Sequence, residues 1–304
     1  MCTENKSVLL VLVLILQFFV LNHIVCGEDF KNRQFIPYYP SSSIKQDLGA
    51  SLKQNVLVQN LDIGLLGYAK SESKKILFDY ENMFLTRNIF YLGSAIGISA
   101  VFANSDYDEN IREYYLNEIH LDYLDGPETV AYQLGTWSSV LPFLGGVTVV
   151  GKIFDESQVG SMMYLWGERS LRGFILGAPV MGVLQVGTGA SRPKELEGQG
   201  SKWNPFNDNN GASGHAFVGA IPFLTAASMS ENLFLKGAFF LGSFLSGWGR
   251  IYIDRHYFSQ VFLGWSVAYL SVQSVSETDS KLKNVQFTPV VIPNGYGVGA
   301  NVNF

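Results

Sequence analysis

Two polar clusters inside an apolar part of the chain decide the fold prediction: Ala212-Ser213-Gly214-His215, and Arg250-Ile251-Tyr252-Ile253-Asp254-Arg255-His256. Each cluster ends in one of the four histidines of the chain, and Arg192-Pro193 supplies another cation upstream. One imidazole can attack a phosphorus atom while a second protonates the leaving oxygen. Guanidinium groups and backbone N–H groups can hold the non-bridging oxygens and balance their charge. These residues therefore predict a site for phosphoryl transfer through a histidine.

The order and spacing of the clusters resemble those of the type 2 phosphatidic acid phosphatase and vanadium haloperoxidase superfamily. The signature of that superfamily has three parts: K-x6-R-P, then P-S-G-H, then S-R-x5-H-x3-D. The resemblance covers about residues 85–275 and identifies the chain as a divergent bacterial member. The positions that align with this signature by their spacing are Gln185, Arg192-Pro193, Ala212 to His215, Gly249-Arg250, His256 and Gln260.

The resemblance implies an all-α fold, a six-helix bundle of the phosphatidic acid phosphatase/haloperoxidase type. Six apolar stretches with glycine-rich interiors agree with that number of helices. They are about residues 88–103, 130–152, 160–187, 214–229, 233–248 and 257–273. The tail differs, because apolar and polar residues alternate up to Phe304 after the turn sequence Pro293-Asn294-Gly295. This pattern predicts a short C-terminal β-hairpin.

The resemblance also implies roles for the two histidines. His256 would be the nucleophile, and His215 would protonate the leaving alkoxide and later activate water. Gln260 would orient the imidazole of His256, in place of the aspartate of the family. The phosphoryl oxygens would be bound by a second group of residues: Arg192, Arg250, Ser213, Gly214 and Gln185.

Four signature positions depart from the family pattern: Gln185 replaces Lys, Ala212 replaces Pro, Gly249 replaces Ser and Gln260 replaces Asp. The first and last changes each remove a charge. An orienting aspartate replaced by its amide costs about 10⁴ in the rate of a serine protease, and one lost oxyanion donor costs about 10² to 10³. If the chain is a slowed phosphatase, Gln260→Asp should raise the rate, and adding Gln185→Lys should raise it further. Lys194 or Lys202 is a candidate to replace the missing lysine.

The leading function is hydrolysis of a phosphate monoester or diphosphate, lipid-linked, through a phosphohistidine. The partner would be a phosphorylated lipid or a small phosphate ester, and no cofactor is expected. Two alternatives remain at this point. One is a degenerate member that binds phosphorylated lipid without turnover, as Gln185 and Gln260 suggest. The other is a vanadate-dependent haloperoxidase on the same set of residues.

The N-terminus has the pattern of an export signal. Lys6 precedes an apolar run from Val8 to Leu16, and short residues follow at Val25 to Gly27. An uncleaved anchor helix is the alternative, because the apolar stretch is long for a signal peptide and short for a span. Lipid attachment at Cys26 fits less well, since His23-Ile24-Val25 is not a small-residue sequence. We therefore divide the chain into residues 1–27, a signal peptide or anchor; 28–85, a polar segment; 86–275, the phosphatase-like helical domain; and 276–304, a tail with the hairpin.

Charge and composition set further bounds. A net charge of -5 without a Lys/Arg-rich stripe argues against a nucleic-acid partner. Three charge-free runs, Thr129 to Gly151, Gly173 to Ser191 and Tyr257 to Ser276, are long enough to cross a bilayer. The sequence thus predicts an exported protein, membrane-associated or periplasmic, with its site on the outer side of the inner membrane. The acidic segment Asn104 to Glu128 lacks the spacing of a calcium loop, so a solvated face is predicted there and no metal site.

Overall fold

The computed structural model of the protein describes residues 72–119, 125–195 and 200–283, and two strands at residues 285–292 and 295–302. The predicted signal or anchor, Cys26, and the polar segment up to residue 71 lie outside the described residues. So does His120. The site residues predicted from the sequence all lie within them.

The described body is helical, which confirms the predicted all-α class. Two of the six apolar stretches each form two helices, with breaks at residues 135–136 and 243–244. The ten helices of the described residues are α1 Glu72–Met83, α2 Thr86–Ala103, α3 Tyr107–Tyr114 with a π-turn at Tyr115–Ile119, α4 Asp125–Leu134, α5 Trp137–Ile153, α6 Gln158–Thr188, α7 Gly214–Met229, α8 Leu233–Gly242, α9 Leu245–Tyr252 and α10 Phe258–Lys283.

The last helix, α10, forms the centre of the bundle, because it packs against α2, α6 and α7. Leu263, Val267 and Ala268 of α10 are fully buried. They meet side chains such as Leu176 of α6 and Ile221 of α7 in one apolar core. Burial of this apolar surface is the main stabilising contribution to the fold. It also fixes the start of α10 relative to the end of α6 and the start of α7.

A buried ionic cluster joins α1, α6 and α10 away from the predicted site. The guanidinium of Arg172 donates to both carboxylate oxygens of Asp79, at 2.8 and 2.7 Å, and to Glu168 and Asp279 at 3.0 and 2.8 Å. Such charges are tolerated in an interior because each is paired and hydrogen-bonded. Arg172 and Gln185 are both on α6, and the rise of an α-helix places them about 20 Å apart along its axis. The packed helices thus run from Glu72 to Lys283, beyond both ends of residues 86–275.

The tail forms the predicted hairpin. Strands β1, Val285–Ile292, and β2, Gly295–Val302, pair antiparallel, with Val285 opposite Val302 and Ile292 opposite Gly295.

The structure also bears on the charge-free runs. Among the described residues, α6 is the one helix that is long and apolar enough to cross a membrane, and α1 with α2 passes the same test only as a pair bent by 62°. The helices α5 and α7 are apolar but shorter. Large apolar side chains are nevertheless exposed on several helices, including Phe90, Trp137 and Val183.

Candidate active site

The three sequence motifs meet at one end of the bundle. The Gln185 amide near the end of α6 donates to the carbonyl of Ala212 at 3.0 Å. The backbone N–H of Ser213 donates to the carbonyl of Gln260 at 2.8 Å. The Gln260 side chain in turn donates to the carbonyl of Ser191 at 2.8 Å. Three short hydrogen bonds therefore connect the segments that carry the Arg-Pro, Ser-Gly-His and Arg-x5-His motifs.

The turn before α7 lies directly on α10. A Cβ atom at Gly264 would collide with the carbonyl of Ser213, so the close approach of the two segments requires glycine there. The fully buried Ser213 hydroxyl accepts from the N–H of Ala216 at 3.3 Å and caps α7. The first N–H groups of a helix have no partner within it, so this end of α7 favours an anion. The predicted cradle at Ser213 and Gly214 is therefore a helix N-terminus.

His256 is held in one tautomer by Gln260. Its Nδ1 lies 2.8 Å from Oε1 of Gln260, and the Tyr257 N–H donates to the same Oε1 at 3.3 Å. A backbone N–H can only donate, and the carbonyl of Ser191 can only accept from the amide nitrogen of Gln260. Oε1 must therefore accept from His256, whose Nδ1 carries the proton. The lone pair on Nε2 is left for attack.

The electrostatic environment keeps both histidines neutral at neutral pH. Burial, opposed by the Gln260 hydrogen bond and assisted by the charges of Arg250 and Arg192, lowers the pKa of His256 to about 3. Burial, followed by the same two arginines, lowers the pKa of His215 to about 4. Because both arginine charges act on both imidazoles, the fold brings together the four charged or titratable residues that the motifs predict. A neutral imidazole is also the form that can act as a nucleophile.

Two buried nitrogen atoms at this site have no acceptor among the described residues: Nε2 of His215 and Nε of Arg192. Buried polar atoms in folded proteins are nearly always hydrogen-bonded, so these two nitrogens are available to a ligand. A cation beside an imidazole and a helix N-terminus selects for an anionic ligand with several oxygen atoms.

Tyr132 is a site residue that the sequence reasoning missed. The centre of the Tyr132 ring lies 5.2 Å from the centre of the His215 ring. The guanidinium carbon of Arg250 lies 5.5 Å from the centre of the Tyr132 ring. Helix α4 reaches this position because residue 249 is glycine: a Cβ atom there would lie 2.9 Å from Cβ of Ala131. The position at which glycine replaces the family serine is thus also the position where α4 brings the ring of Tyr132 to the site. No motif signals Tyr132, which lies far from both histidines in the sequence.

The turn that carries His256 is supported by α3. Arg112 donates to both carboxylate oxygens of Asp254, at 2.6 and 3.0 Å, in the turn that precedes His256. Asp108 accepts from the N–H and hydroxyl of Ser259, at 2.9 and 2.5 Å, in the first turn of α10. Burial raises the pKa of Asp108 to about 6. The predicted solvated face is therefore wrong for Asp108, which is fully buried.

The remaining sequence predictions can also be placed. Gln185 lies beside the turn at Ala212 and stabilises it. Lys194 and Lys202 are exposed. Within the described part of the chain, no group of three or more His, Cys, Asp or Glu side chains could hold a metal ion.

These features define a helical protein with two histidines and two arginines gathered at one end of its bundle. The family model of the PAP2 superfamily matches residues 171–282, a segment that contains all three motifs. The match confirms the resemblance seen in the sequence and suggests phosphatase or haloperoxidase-type activity. No curated protein and no solved structure matches the chain.

The ring of Tyr132 can be tested by paired substitutions. If the site hydrolyses phosphate esters, Tyr132→Leu should lower kcat about thirtyfold, since the stacking and cation–π contacts are each worth about 1 kcal/mol. Tyr132→Phe keeps the ring and should stay within about twofold of wild type. Equal losses in the two variants would assign the effect to the hydroxyl group instead.

Proposed function

We propose that the protein is a phosphatase that hydrolyses a phosphate monoester or diphosphate, lipid-linked, through a phosphohistidine on His256. The observation that carries the proposal is the pair of buried nitrogens without an acceptor among the described residues, His215 Nε2 and Arg192 Nε, beside the attacking tautomer of His256. The PAP2 superfamily match supports the same reaction class.

The first step forms the covalent intermediate. Nε2 of His256 attacks phosphorus, the bond from phosphorus to the ester oxygen breaks, and His215 gives its proton to that oxygen. Arg192 and Arg250 balance the charge on the non-bridging oxygens, together with the N-terminal amides of α7.

The second step releases phosphate. His215, now neutral, takes a proton from water, and the resulting hydroxide attacks phosphorus. The bond between phosphorus and His256 breaks, which restores the free imidazole and leaves inorganic phosphate. Gln260 accepts a hydrogen bond from Nδ1–H throughout but supplies no charge to stabilise the cationic phosphohistidine.

The proposed location is the outer side of a bacterial inner membrane, after export. Two observations support this location: the signal-like N-terminal sequence, and the apolar helix α6 with its exposed side chains. An enzyme in this position would act on the phosphate groups of lipids in the facing leaflet.

Hydrolysis of 4-nitrophenyl phosphate by the purified chain, with and without a chelator, is the primary test. We expect turnover that a chelator leaves unchanged and that orthovanadate, a trigonal-bipyramidal mimic of the transferring group, inhibits. Loss of turnover in the chelator, restored by a divalent cation, would count against the mechanism. Vanadate binding without turnover would favour the degenerate lipid-binding member, a reading that Gln260 also motivates, and bromide oxidation by the vanadate-loaded protein would favour a haloperoxidase.

The lowered histidine pKa values predict an acidic optimum. In the free enzyme His215 has a pKa of about 4, so kcat/KM should fall as the pH rises above about 4. A bound phosphoryl anion stabilises the imidazolium and raises the pKa of His215 in the complex. The alkaline limb of kcat should therefore lie at higher pH than that of kcat/KM. Profiles of both constants from pH 3 to 9 provide the measurement, and coincident limbs would remove His215 from the role of acid.

A further inference from the structure

The turn between α9 and α10 joins the backbone of His256 directly to that of Arg250. The N–H groups of Arg255 and His256 both donate to the carbonyl of Arg250, at 2.9 and 3.2 Å. The N–H of Asp254 donates to the carbonyl of Ile251 at 3.0 Å. These bonds form the Schellman pattern that ends many helices. The positions of the attacking imidazole and of one phosphate-binding guanidinium therefore both depend on this turn.

Asp254 occupies the position of the pattern that usually holds glycine. Its φ of 58° lies in the left-handed region, which glycine adopts without a steric cost. The end of α9 therefore needs no carboxylate at this position. Water does not solvate the carboxylate either, because Asp254 is only 6% exposed. A buried charge of this kind is normally stabilised by a partner within the protein.

The partner of Asp254 is Arg112 on α3. Nε and Nη2 of Arg112 donate to the two carboxylate oxygens of Asp254 at 2.6 and 3.0 Å. Two parallel bonds of this kind fix the direction of the carboxylate as well as its distance. Nη1 of Arg112 donates to Glu109 at 2.6 Å, so the guanidinium is itself oriented by its own helix. The chain is thus attached to α3 two residues before His256.

The same face of α3 holds the chain on the other side of His256. Asp108, four residues before Arg112 and so on the same face, accepts from the N–H and the hydroxyl of Ser259 at 2.9 and 2.5 Å. Both residues are buried. Ser259 directly precedes Gln260, whose Oε1 lies 2.8 Å from Nδ1 of His256. The start of α10 is therefore fixed, and the ion pair of Arg112 determines how the turn meets it.

We propose that Arg112 is a positioning residue, whose ion pair with Asp254 sets the position of Nε2 of His256 relative to a phosphoryl group bound at Arg250. It acts through the backbone of the turn and not by contact with the phosphoryl group. This inference rests on the phosphatase function proposed above. A displacement of about 1 Å in the reacting geometry can cost about 10² in rate, so a side chain outside the site can control kcat.

The first test is Asp254→Gly in the full chain, because glycine keeps the turn and removes the carboxylate. We expect kcat for 4-nitrophenyl phosphate to fall by about tenfold or more. KM and the inhibition constant of inorganic phosphate should stay within about twofold of wild type, because Arg192 and Arg250 still bind the oxygens. Lys152→Met is the control, since it breaks another ion pair, Lys152 with Asp155 at 2.8 Å, at the opposite end of α6 from the site. Its kcat should stay within about twofold of wild type.

The tautomer of His256 provides a second measurement that needs no turnover. NMR of the chain labelled at its histidine nitrogens reports which ring nitrogen carries the proton, and the signals absent from His256→Ala identify the residue. We expect one tautomer in wild type, with the proton on Nδ1, and a mixture of two in Asp254→Gly, because the turn no longer holds the imidazole against Gln260. The double variant Arg112→Met with Asp254→Gly leaves no buried carboxylate without a partner and should match Asp254→Gly in both measurements.

Four results would overturn the inference. Unchanged kcat with a single tautomer in Asp254→Gly would mean that the carboxylate serves only the end of α9. A raised KM with unchanged kcat would assign the pair to phosphate binding at Arg250. An equal loss of kcat in Lys152→Met would mean a general effect of lost ion pairs. If wild type hydrolyses no phosphate ester, the phosphatase proposal fails and the tautomer alone decides: a mixture in Asp254→Gly supports the positioning of His256, and a single tautomer removes it.

Discussion

The His256→Ala variant is expected to lose hydrolysis of every phosphate ester, by a factor of about 10⁴ or more. The His256 side chain supplies the nitrogen atom that bonds to phosphorus. In the proposed geometry Gln260 positions no second nucleophile. The imidazole Nε2 is available because Nδ1 is bound to Gln260 at 2.8 Å. Steady-state turnover of 4-nitrophenyl phosphate measures the loss. Wild-type-like turnover in this variant would end the phosphohistidine proposal.

The control for this prediction is His215→Ala, which removes the acid but keeps the nucleophile. With a good leaving group such as 4-nitrophenolate, this variant should still form the phosphoenzyme slowly and then fail to release phosphate, since no base activates water. Acid quenching and detection of an acid-labile phosphohistidine distinguish the two variants. Circular dichroism of both should match wild type, because the fold does not depend on either imidazole for its core.

The meeting of the motif residues at one end of the bundle was predictable from the sequence, because their spacing along the chain is tied to helix ends. Arg192 follows α6, Gly214 begins α7, and Gln260 lies in the first turn of α10. Three motifs at three helix ends can meet only if those ends share one side of the bundle. The core contacts of α10 with α6 and α7 bring about that arrangement.

The supporting residues were not predictable, because their roles come from contacts that are distant in sequence. Asp108 bonds to Ser259, 151 positions away, and Arg112 bonds to Asp254, 142 positions away. In the sequence both stand in an acidic segment that has the composition of a solvated surface. Tyr132 likewise stands in a helix, α4, without any motif. A charge or ring becomes part of a site only when the fold places another charge against it.

The glutamine at position 260 shows how the site accommodates the loss of the family aspartate. Its Oε1 accepts from His256 and from the N–H of Tyr257, while its amide nitrogen donates to Ser191. The side chain is fully buried and all its hydrogen bonds are made within the protein. Glutamine therefore keeps the geometry of an orienting residue and gives up the charge. A carboxylate would restore the charge but could not donate to Ser191.

Gln260→Asp is therefore expected to raise kcat and lower stability together. A carboxylate beside Nδ1 stabilises the positive charge that develops as His256 attacks, so kcat should rise tenfold or more, within the 10⁴ that an amide can cost at such a position. Loss of the hydrogen bond to the Ser191 carbonyl should lower the free energy of unfolding by about 1–3 kcal/mol. Turnover of 4-nitrophenyl phosphate and urea denaturation measure the two effects.

The double variant Gln260→Asp with Gln185→Lys extends the same test. A lysine ammonium at position 185 would lie beside the turn at Gly214, where the glutamine amide now lies. There it adds a cation for the phosphoryl oxygens, and we expect a further rise in kcat on the order of 10²-fold. Gln185→Met, of similar length but without charge, is the matched control and should give no rise. A fall in kcat in both the single and the double variant, with the fold intact, would mean that the glutamines belong to a binding site, and the non-catalytic member of the superfamily would then be the better description.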